Sequence, residues 1–255
     1  MSAVALVYAS EPVTPSRFCD GASQLLQMMD FRVMRSDEDR AAIGHLRYDA
    51  YMREGAITPS PLQCFTDPHD EDSHAWVIGL YIGNELASSI RLHVLTKGTH
   101  DSPSFAAFSD LLEPELEAGK TIVDPNRFVT DQRLARLYPA LPYVTLRLCW
   151  LAAEYFDADH LLAAVRPEHQ PFYRRLFNHR PICGPRDYPP LTKPLTLMTV
   201  DYRQVADRIY QRFPFVRSTH FERRMLFERP APLMPAAIPL SPAPDEQLPL
   251  FAQAG

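Results

Sequence analysis

At the centre of the chain stands the stretch Val123-Asp124-Pro125-Asn126-Arg127-Phe128-Val129. Its apolar ends and polar middle are typical of a β-strand. Because successive side chains of a strand point to opposite faces, we expect Asp124 and Asn126 to share one face and Arg127 to lie on the other. The pattern predicts a wet cleft against one face of a buried sheet, and Pro125 indicates a bulge or an edge position. A strand end that leads into a turn is the alternative.

Length and composition are those of a soluble globular protein with one main domain. The chain has 255 residues, of which 46% are hydrophobic and 22% charged, and its formal net charge is -5. This charge argues against a dedicated nucleic-acid binder, since neutralising phosphates requires a basic surface. The 4 cysteines are widely spaced and form no metal or disulfide pattern, which favours a reduced, cytoplasmic setting. No export signal or apolar run of roughly 18 residues predicts a membrane span.

Three segments are expected along the chain. Residues 1–29 mix Ser, Pro and Thr with a short apolar patch and predict a loosely ordered N-terminal arm that can dock on the domain. Residues 30–228 carry the periodic patterns of a folded domain. Residues 229–255 are rich in Pro and Ala without periodicity, which predicts a disordered tail.

Periodic patterns predict the secondary structure of the domain. Residues 74–82 and 85–95 form a predicted hairpin around the turn pair Gly83-Asn84, and a helix with a capping-box start at Ser36 runs to about Glu54. The order β-α-β-β-α-β-α-β-α-β-β-α predicts an α/β (α+β) fold with a mixed central sheet flanked by helices. The other predicted elements cover residues 31–35, 105–117, 122–129, 143–156, 160–165, 168–177, 180–183, 193–200 and 202–212.

Polar side chains before the central strand are candidates for a binding site. Arg47 and Tyr51 lie one turn apart on the first helix of the domain, where they can hold a carboxylate or form part of a solvated face. The segment Asp67-Pro68-His69-Asp70-Glu71-Asp72 is a loop by composition. His69 and His74 flank carboxylates and are compatible with a metal site, but no metal-ligand motif is present and we predict none.

Five pieces follow one another along the chain: Leu46-Arg47-Tyr48-Asp49-Ala50-Tyr51, Phe65-Thr66-Asp67-Pro68-His69-Asp70, Ser89-Ile90-Arg91-Leu92, Asp124-Pro125-Asn126-Arg127-Phe128-Val129 and residues 165–177. Together and in this order they resemble the acyl-homoserine-lactone synthases and their relatives, the N-acyl amino acid synthases, of the GNAT acyltransferase superfamily. They look like a first-helix Arg motif, an acidic loop with two Asp three apart, a strand Arg, a Glu-x-Ser-Arg-Phe signature, and a strand and helix at the pantetheine side. The resemblance covers about residues 31–201 and implies a GNAT-like fold.

The chain departs from the family pattern in ways that bear on the substrates. Asp124 replaces the Glu of the signature and Asn126 replaces its Ser, so that a bridging water or a different acceptor is implied. The aromatic-rich arm of lactone synthases is not evident, which favours an amino acid over S-adenosylmethionine as acceptor. A glycine-rich pyrophosphate loop is also missing between residues 127 and 142, which favours an acyl chain delivered on acyl carrier protein over one delivered on CoA.

The resemblance implies direct N-acyl transfer from a thioester to the amine of an amino acid or related small molecule, without a tightly bound cofactor. Asp124 would act as general base, and Asn126 and a backbone N–H after Arg127 would stabilise the oxyanion. The residues implied in substrate binding are Arg47, Tyr51, Asp67, Asp70 and Arg91. A carboxylate-bearing acceptor suits a forked arginine, and the candidates to orient it are Arg47, Arg91 and Arg127. The alternative to substrate contact is a structural role. Arg91 and Arg127 would then pair with Asp67 and Asp70 and hold the acidic loop on the sheet.

An acidic acyl carrier protein would require a locally basic docking site. The residues expected to form it are Arg133, Arg136, Arg166, Arg174, Arg175 and Arg180, with a solvated helix face as the alternative for Arg174 and Arg175.

Two other functions remain open from the sequence. One is a CoA-dependent GNAT N-acetyltransferase that acts on another amine. The other is a non-catalytic interaction protein, because Gln247-Leu248-Pro249-Leu250-Phe251 resembles the short peptides that bind the bacterial sliding clamp.

Overall fold

Eight α-helices and eight strands lie within residues 17–229, the part of the chain that the computed structural model describes. The helices are α1 (Arg17–Gln27), α2 (Asp37–Arg53), α3 (Pro103–Glu117), α4 (Gln132–Leu137), α5 (Leu141–Tyr155), α6 (Gln170–Phe177), α7 (Tyr202–Arg212) and α8 (His220–Phe227). The strands are β1 (Met29–Val33), β2 (Ala75–Ile82), β3 (Glu85–Leu95), β4 (Ile122–Thr130), β5 (His160–Val165), β6 (Arg180–Pro181), β7 (Arg186–Tyr188) and β8 (Leu191–Asp201). The predicted α/β fold with a mixed central sheet is confirmed.

The start of α2 and the hairpin, which were predicted from residues close together in the sequence, are confirmed. Ser36 caps α2 by accepting the N–H of Asp39, whose carboxylate accepts the N–H of Ser36 in return, as the capping box predicts. β2 and β3 form the predicted antiparallel hairpin. Gly83 occupies its turn with φ +60, a conformation that costs glycine little because it has no Cβ.

The sheet has the order β1-β2-β3-β4-β5-β8-β6, and β7 pairs with β8. β4 is therefore a central strand, and the edge position considered for it is wrong. It pairs antiparallel with β3 but parallel with β5. The parallel ladder contains only the pairs Ile122–His160 and Val123–Leu161, after which β4 and β5 separate. Pro125 lies just beyond the last pair and has no N–H to offer a ladder.

A bulge in β4 corrects the predicted orientation of Arg127. Arg91 is opposite Asn126, and Ser89 is opposite Val129, so β4 has one more residue than β3 between these pairs. Arg127 itself has φ 52, in the left-handed region. The extra residue resets the alternation of side chains. Arg127 therefore lies on the same side as Asn126, not on the opposite one.

The N-terminal segment differs from its predicted loose order. α1 is a regular helix that buries Cys19, Ala22 and Leu25 in the main core, which is built around α5. This packing extends the ordered part upstream of Phe31. Residues 1–16 and 230–255, including the peptide Gln247-Leu248-Pro249-Leu250-Phe251, lie outside the described residues. Within the described part, no helix combines the length and the apolar character that crossing a bilayer requires.

Two further elements were not predicted. β7 is only three residues long and lies in a Pro- and Gly-containing segment, so its sequence carries no alternating pattern. Tyr188 of this strand packs in a second, smaller hydrophobic cluster beside α3. α8 is a short helix capped by Thr219, whose side chain accepts the N–H of Glu222.

Candidate active site

The acidic loop is held to the sheet by three buried arginines. Asp70 accepts hydrogen bonds from Arg47 Nη1 at 2.8 Å and from Arg91 Nη1 at 2.9 Å. Asp67 accepts a hydrogen bond from Arg127 Nε at 2.7 Å and another from Arg91. The ion pairs expected if Arg91 and Arg127 hold the acidic loop on the sheet are thus present in the structure.

Burial makes these ion pairs mutually dependent. The side chains of Arg47, Arg91 and Arg127 are at most 1% exposed, so each needs a carboxylate to compensate its charge. Burial alone would raise the pKa of Asp67, but hydrogen bonds and charge from Arg91 and Arg127 hold it well below its ordinary value. Asp67 therefore remains ionised, and its ion pairs, together with those of Asp70, fix the position of the loop.

The amide of Asn126 connects this network to His93. Arg91 Nε lies 2.6 Å from Asn126 Oδ1, and an arginine nitrogen can only donate, so the amide orientation is determined. The amide nitrogen then faces His93 Nδ1 at 3.0 Å and donates to it. His93 consequently carries its proton on Nε2, from which it donates to Asp72 at 3.1 Å.

This tautomer bears on the metal hypothesis. Ligand atoms of His69, Asp72 and His93 lie within 4.8 Å of one another, whereas His74 contacts the carbonyl oxygen of Asp101. Burial lowers the pKa of His93 to about 3, so its ring is neutral. A metal bound to Nε2 would require that proton to move to Nδ1 and would break the hydrogen bond with Asn126. The geometry fits a hydrogen-bond network better than a metal site.

Asp124 is fully buried and is not among the residues that line the cavity beside β4, whereas the sequence predicted a cleft position for it. Its carboxylate accepts a hydrogen bond from Ser104 Oγ at 2.7 Å and a longer one from Asn126 Nδ2 at 3.3 Å. Asp124 and Asn126 do share a face, as predicted. Burial raises the pKa of Asp124 above its ordinary value, against the opposing effect of these hydrogen bonds. Asn126 Nδ2 also donates to His93, so this amide has little capacity left to donate a hydrogen bond to a thioester oxygen.

The principal cavity, about 560 Å³, lies where β4 and β5 separate. A cavity of this size suits a small organic ligand. Four of the predicted site residues line it, namely Tyr51, Asn126, Arg127 and Arg166. The remaining residues predicted for catalysis or substrate binding are not part of this lining: Arg47, Asp67, Asp70, Arg91 and Asp124. Much of the lining is apolar and comes from α5, β5, α6 and β8: Leu146, Leu162, Val165, Phe172, Leu191 and Leu195.

The predicted basic cluster is divided by ion pairs. Arg133 pairs with Glu85, and Arg166 pairs with Glu54 at the rim of the cavity. Arg174 and Arg175 are exposed on α6 and have no carboxylate partner within residues 17–229. Arg212 of α7 donates to the carbonyl oxygen of Arg175 and adds a further cation to this surface. The residues that remain available to an acidic partner are Arg136, Arg174, Arg175 and Arg180.

Sequence reasoning missed several residues of the site. Arg53, Tyr188 and Lys193 line the cavity, and Ser104 links Tyr188 to Asp124. Ser104 lies in the first turn of a helix, where a serine ordinarily indicates only a helix start. Tyr188 stands in a segment without a periodic pattern. No local signal distinguishes either residue, because they meet Asp124 only through the packing of α3 and β7 on β4.

Solved structures similar to this chain support the fold. FeeM, an N-acyl amino acid synthase from uncultured soil microbes, is 17% identical, with a TM-score of 0.59 over 72% of this chain and 96% of that chain. The acyl-homoserine-lactone synthase LasI is 13% identical, with a TM-score of 0.52 over 67% and 89%. TofI, solved in a ternary complex with an inhibitor and MTA, is 15% identical, with a TM-score of 0.52 over 70% and 95%.

Sequence comparison gives the family. No curated protein sequence matches the chain significantly. A family model described as N-acyl amino acid synthase FeeM matches residues 42–201, which is more than half of the chain and includes most of α2, the acidic loop, β4 and the residues that line the cavity. The chain therefore belongs to the FeeM family of N-acyl amino acid synthases and is an acyltransferase with a GNAT-like fold.

Proposed function

We propose that this protein transfers a fatty acyl group from acyl carrier protein to the amine of an amino acid or a related small molecule, which yields an N-acyl amino acid. The observation that carries the proposal is the cavity between β4 and β5, which combines apolar walls with Arg127. An acyl chain requires the former, and a carboxylate-bearing acceptor suits the latter.

Arg127 is the proposed ligand of the acceptor carboxylate. Its Nε is held by Asp67 at 2.7 Å, and its two terminal nitrogens have no carboxylate partner among the described residues. The guanidinium carbon lies 5.2 Å from the centroid of the Phe65 ring, which supports its flat face. Under this proposal Arg47, Arg91, Asp67 and Asp70 act by holding the loop that positions Arg127.

The space where β4 and β5 separate can accommodate the thioester. β4 has no ladder partner on β5 beyond Val123, so backbone N–H groups near Arg127 are available to polarise a carbonyl oxygen inserted there. Direct attack by an amine on a thioester needs no nucleophilic side chain. The apolar residues of α5, β5 and α6 would then surround the acyl chain.

The proposed carrier approaches over α6. Arg174 and Arg175 carry uncompensated positive charge close to Phe172 and Tyr173, which line the cavity. An acidic carrier protein docked on this surface would place its thioester arm at the opening. Such a carrier also implies a cytoplasmic reaction. The competing donor is acyl-CoA, which requires no protein docking surface.

The test compares acyl carrier protein and CoA bearing the same acyl chain, with a mixture of amino acids as acceptors and mass spectrometry of the products. The double variant Arg174→Glu/Arg175→Glu should lower turnover of the carrier-bound donor at least tenfold and leave turnover of the CoA donor unaffected. Each tenfold loss of turnover corresponds to about 1.4 kcal/mol of lost docking free energy. Arg35→Glu, an exposed charge reversal next to β1, is the matched control.

Each outcome of this experiment has a definite meaning. N-acyl amino acids formed from the carrier-bound donor, with the expected loss in the α6 variant, would support the proposal, and their masses would identify chain and acceptor. Activity with CoA alone would favour the CoA-dependent enzyme. If neither donor yields an N-acyl product with any amino acid, the proposed acceptor class is wrong.

A further inference from the structure

A hydrogen-bonded chain connects the cavity wall to the buried carboxylate of Asp124. Tyr188, from β7, lines the cavity, whereas Asp124 is 0% exposed and does not reach it. Between them lies Ser104, whose Oγ is 3.0 Å from Tyr188 Oη and 2.7 Å from Asp124 Oδ1. Ser104 and Tyr188 are themselves buried, so bulk water does not compete for these hydrogen bonds.

The directions of the two hydrogen bonds follow from the chemistry of the groups. In its ionised form, the form that can take up a proton, the carboxylate of Asp124 only accepts, so Ser104 donates its one hydroxyl proton to it. Ser104 Oγ must then accept from Tyr188 Oη, because its own proton is already used. The chain therefore runs Tyr188 to Ser104 to Asp124, and Tyr188 Oη keeps a lone pair that can accept one more proton.

We propose that Tyr188 is the residue that receives the proton of the attacking amine, and that Ser104 relays it to Asp124. This inference rests on the proposed function of the cavity. The N–H bond of the amine breaks as its nitrogen bonds to the thioester carbon. Tyr188 Oη takes that proton and passes its own to Ser104 Oγ, which passes its own to Asp124 Oδ1. The leaving thiolate is protonated by the reverse transfer, so the enzyme returns to its starting state with amide and thiol as products.

The surroundings are consistent with a relay that carries protons without leaving charge on the phenol. Burial raises the pKa of Tyr188, which disfavours a free phenolate, and burial also raises the pKa of Asp124, which makes it a better proton acceptor. The titratable and charged groups around Asp124 come from several elements: Arg91 and His93 on β3, Arg127 on β4, Cys149 on α5 and Tyr188 on β7.

The alternative role for these three residues is only to pin β7 and α3 onto β4. The two roles differ in kinetics. A relay that acts during proton removal lowers kcat when interrupted and determines the acid limb of the pH profile, whereas a structural contact changes stability and substrate affinity.

The experiment measures kcat, KM and their pH dependence for acyl transfer by the full-length protein and its variants Tyr188→Phe, Ser104→Ala and Ser104→Thr. Tyr188→Phe keeps the ring in the cavity wall, and Ser104→Thr keeps the hydroxyl. Tyr202→Phe is the matched control, because it removes another buried phenol hydroxyl, hydrogen-bonded to Tyr210 at 2.9 Å, away from the cavity. Circular dichroism and thermal unfolding verify that each variant is folded.

We expect Tyr188→Phe and Ser104→Ala each to lower kcat about 10²- to 10⁴-fold, the usual contribution of general base catalysis, with KM changed only a few-fold. Both should lose the acid limb of the wild-type profile, and Ser104→Thr and Tyr202→Phe should retain it. If folded Tyr188→Phe turns over at near wild-type rate, or Ser104→Thr is as impaired as Ser104→Ala, the relay is wrong while the proposed function stands. If the wild type itself forms no N-acyl product, the proposed function fails, and the relay with it.

Discussion

Arg91 donates its Nε–H to Asn126 Oδ1 at 2.6 Å across strands β3 and β4, and this hydrogen bond links the acidic loop to the wall of the cavity. On the loop side, Arg91 binds Asp67 and Asp70. On the cavity side, the amide it orients donates to His93 and approaches Asp124. A change at either end is therefore expected to affect both the stability of the loop and the electrostatics of the site.

The first prediction concerns the amide itself. Asn126→Asp keeps the acceptor for Arg91 but removes the donors to His93 and Asp124, and it places a second carboxylate next to Asp124. Losing two buried donors should lower the free energy of unfolding by about 3 kcal/mol at neutral pH. Urea denaturation measures this change, and Asn84→Asp, at the exposed hairpin turn, is the control. Equal stability of the two variants would contradict the orientation derived for the Asn126 amide.

The second prediction concerns Asp67 and pH. Asp67→Asn leaves Arg127 without its carboxylate and should cost about 3 kcal/mol of unfolding free energy at neutral pH. In the wild type the pKa of Asp67 lies below its ordinary value of 3.8 in the folded state, so its stabilisation is complete above that pH and is lost as the pH falls further.

The pH dependence separates this carboxylate from others. Urea unfolding as a function of pH should show a steeper loss of stability below pH 3.8 for the wild type than for Asp67→Asn. Asp37→Asn, at the fully exposed first turn of α2, should follow the wild-type curve. Parallel curves for wild type and Asp67→Asn would show that this carboxylate does not stabilise the fold through its ionised form.

The third prediction concerns acceptor binding. Arg127→Lys keeps a positive charge near Asp67 but loses the forked pair of terminal nitrogens proposed to bind a carboxylate. The KM for the amino-acid acceptor should rise at least about tenfold, since a charge-assisted hydrogen bond contributes about 1.5–3 kcal/mol. The KM for the acyl donor should stay within a few-fold. Arg133 pairs with Glu85 at the surface, and Arg133→Lys is therefore the control. An unchanged acceptor KM in folded Arg127→Lys would remove Arg127 from the acceptor site.

The fourth prediction concerns the acyl chain. Ala164 lines the cavity on β5, so Ala164→Phe narrows it. The preferred donor should shift to shorter chains, with kcat/KM reduced about tenfold or more for each methylene that no longer fits. Competition among donors of different chain length, with products separated by mass, measures the shift. Ala206→Phe on α7, outside the cavity lining, controls for the added bulk. The same chain-length preference in wild type and Ala164→Phe would place the acyl chain elsewhere.

Several local patterns were sufficient to predict their elements. The capping box of α2, the hairpin of β2 and β3, and α7 over Tyr202–Arg212 formed as expected, because their signals depend on neighbours a few residues away. The order of these elements, together with the resemblance carried by the motifs, was enough to predict the GNAT-like fold and the acyltransferase family.

The arrangement of the site depended on contacts between segments far apart in the chain. Strand alternation placed Arg127 opposite Asn126, but pairing with β3 introduced a bulge that turned Arg127 to the same side. The same alternation put Asp124 in the cleft, yet α3 and β7 cover it and leave Tyr188 at the cavity wall. Neighbouring residues encode neither the register of a bulge nor the contact between Ser104 and Tyr188, which are 84 positions apart in the chain, because both arise from which strands and helices pack together.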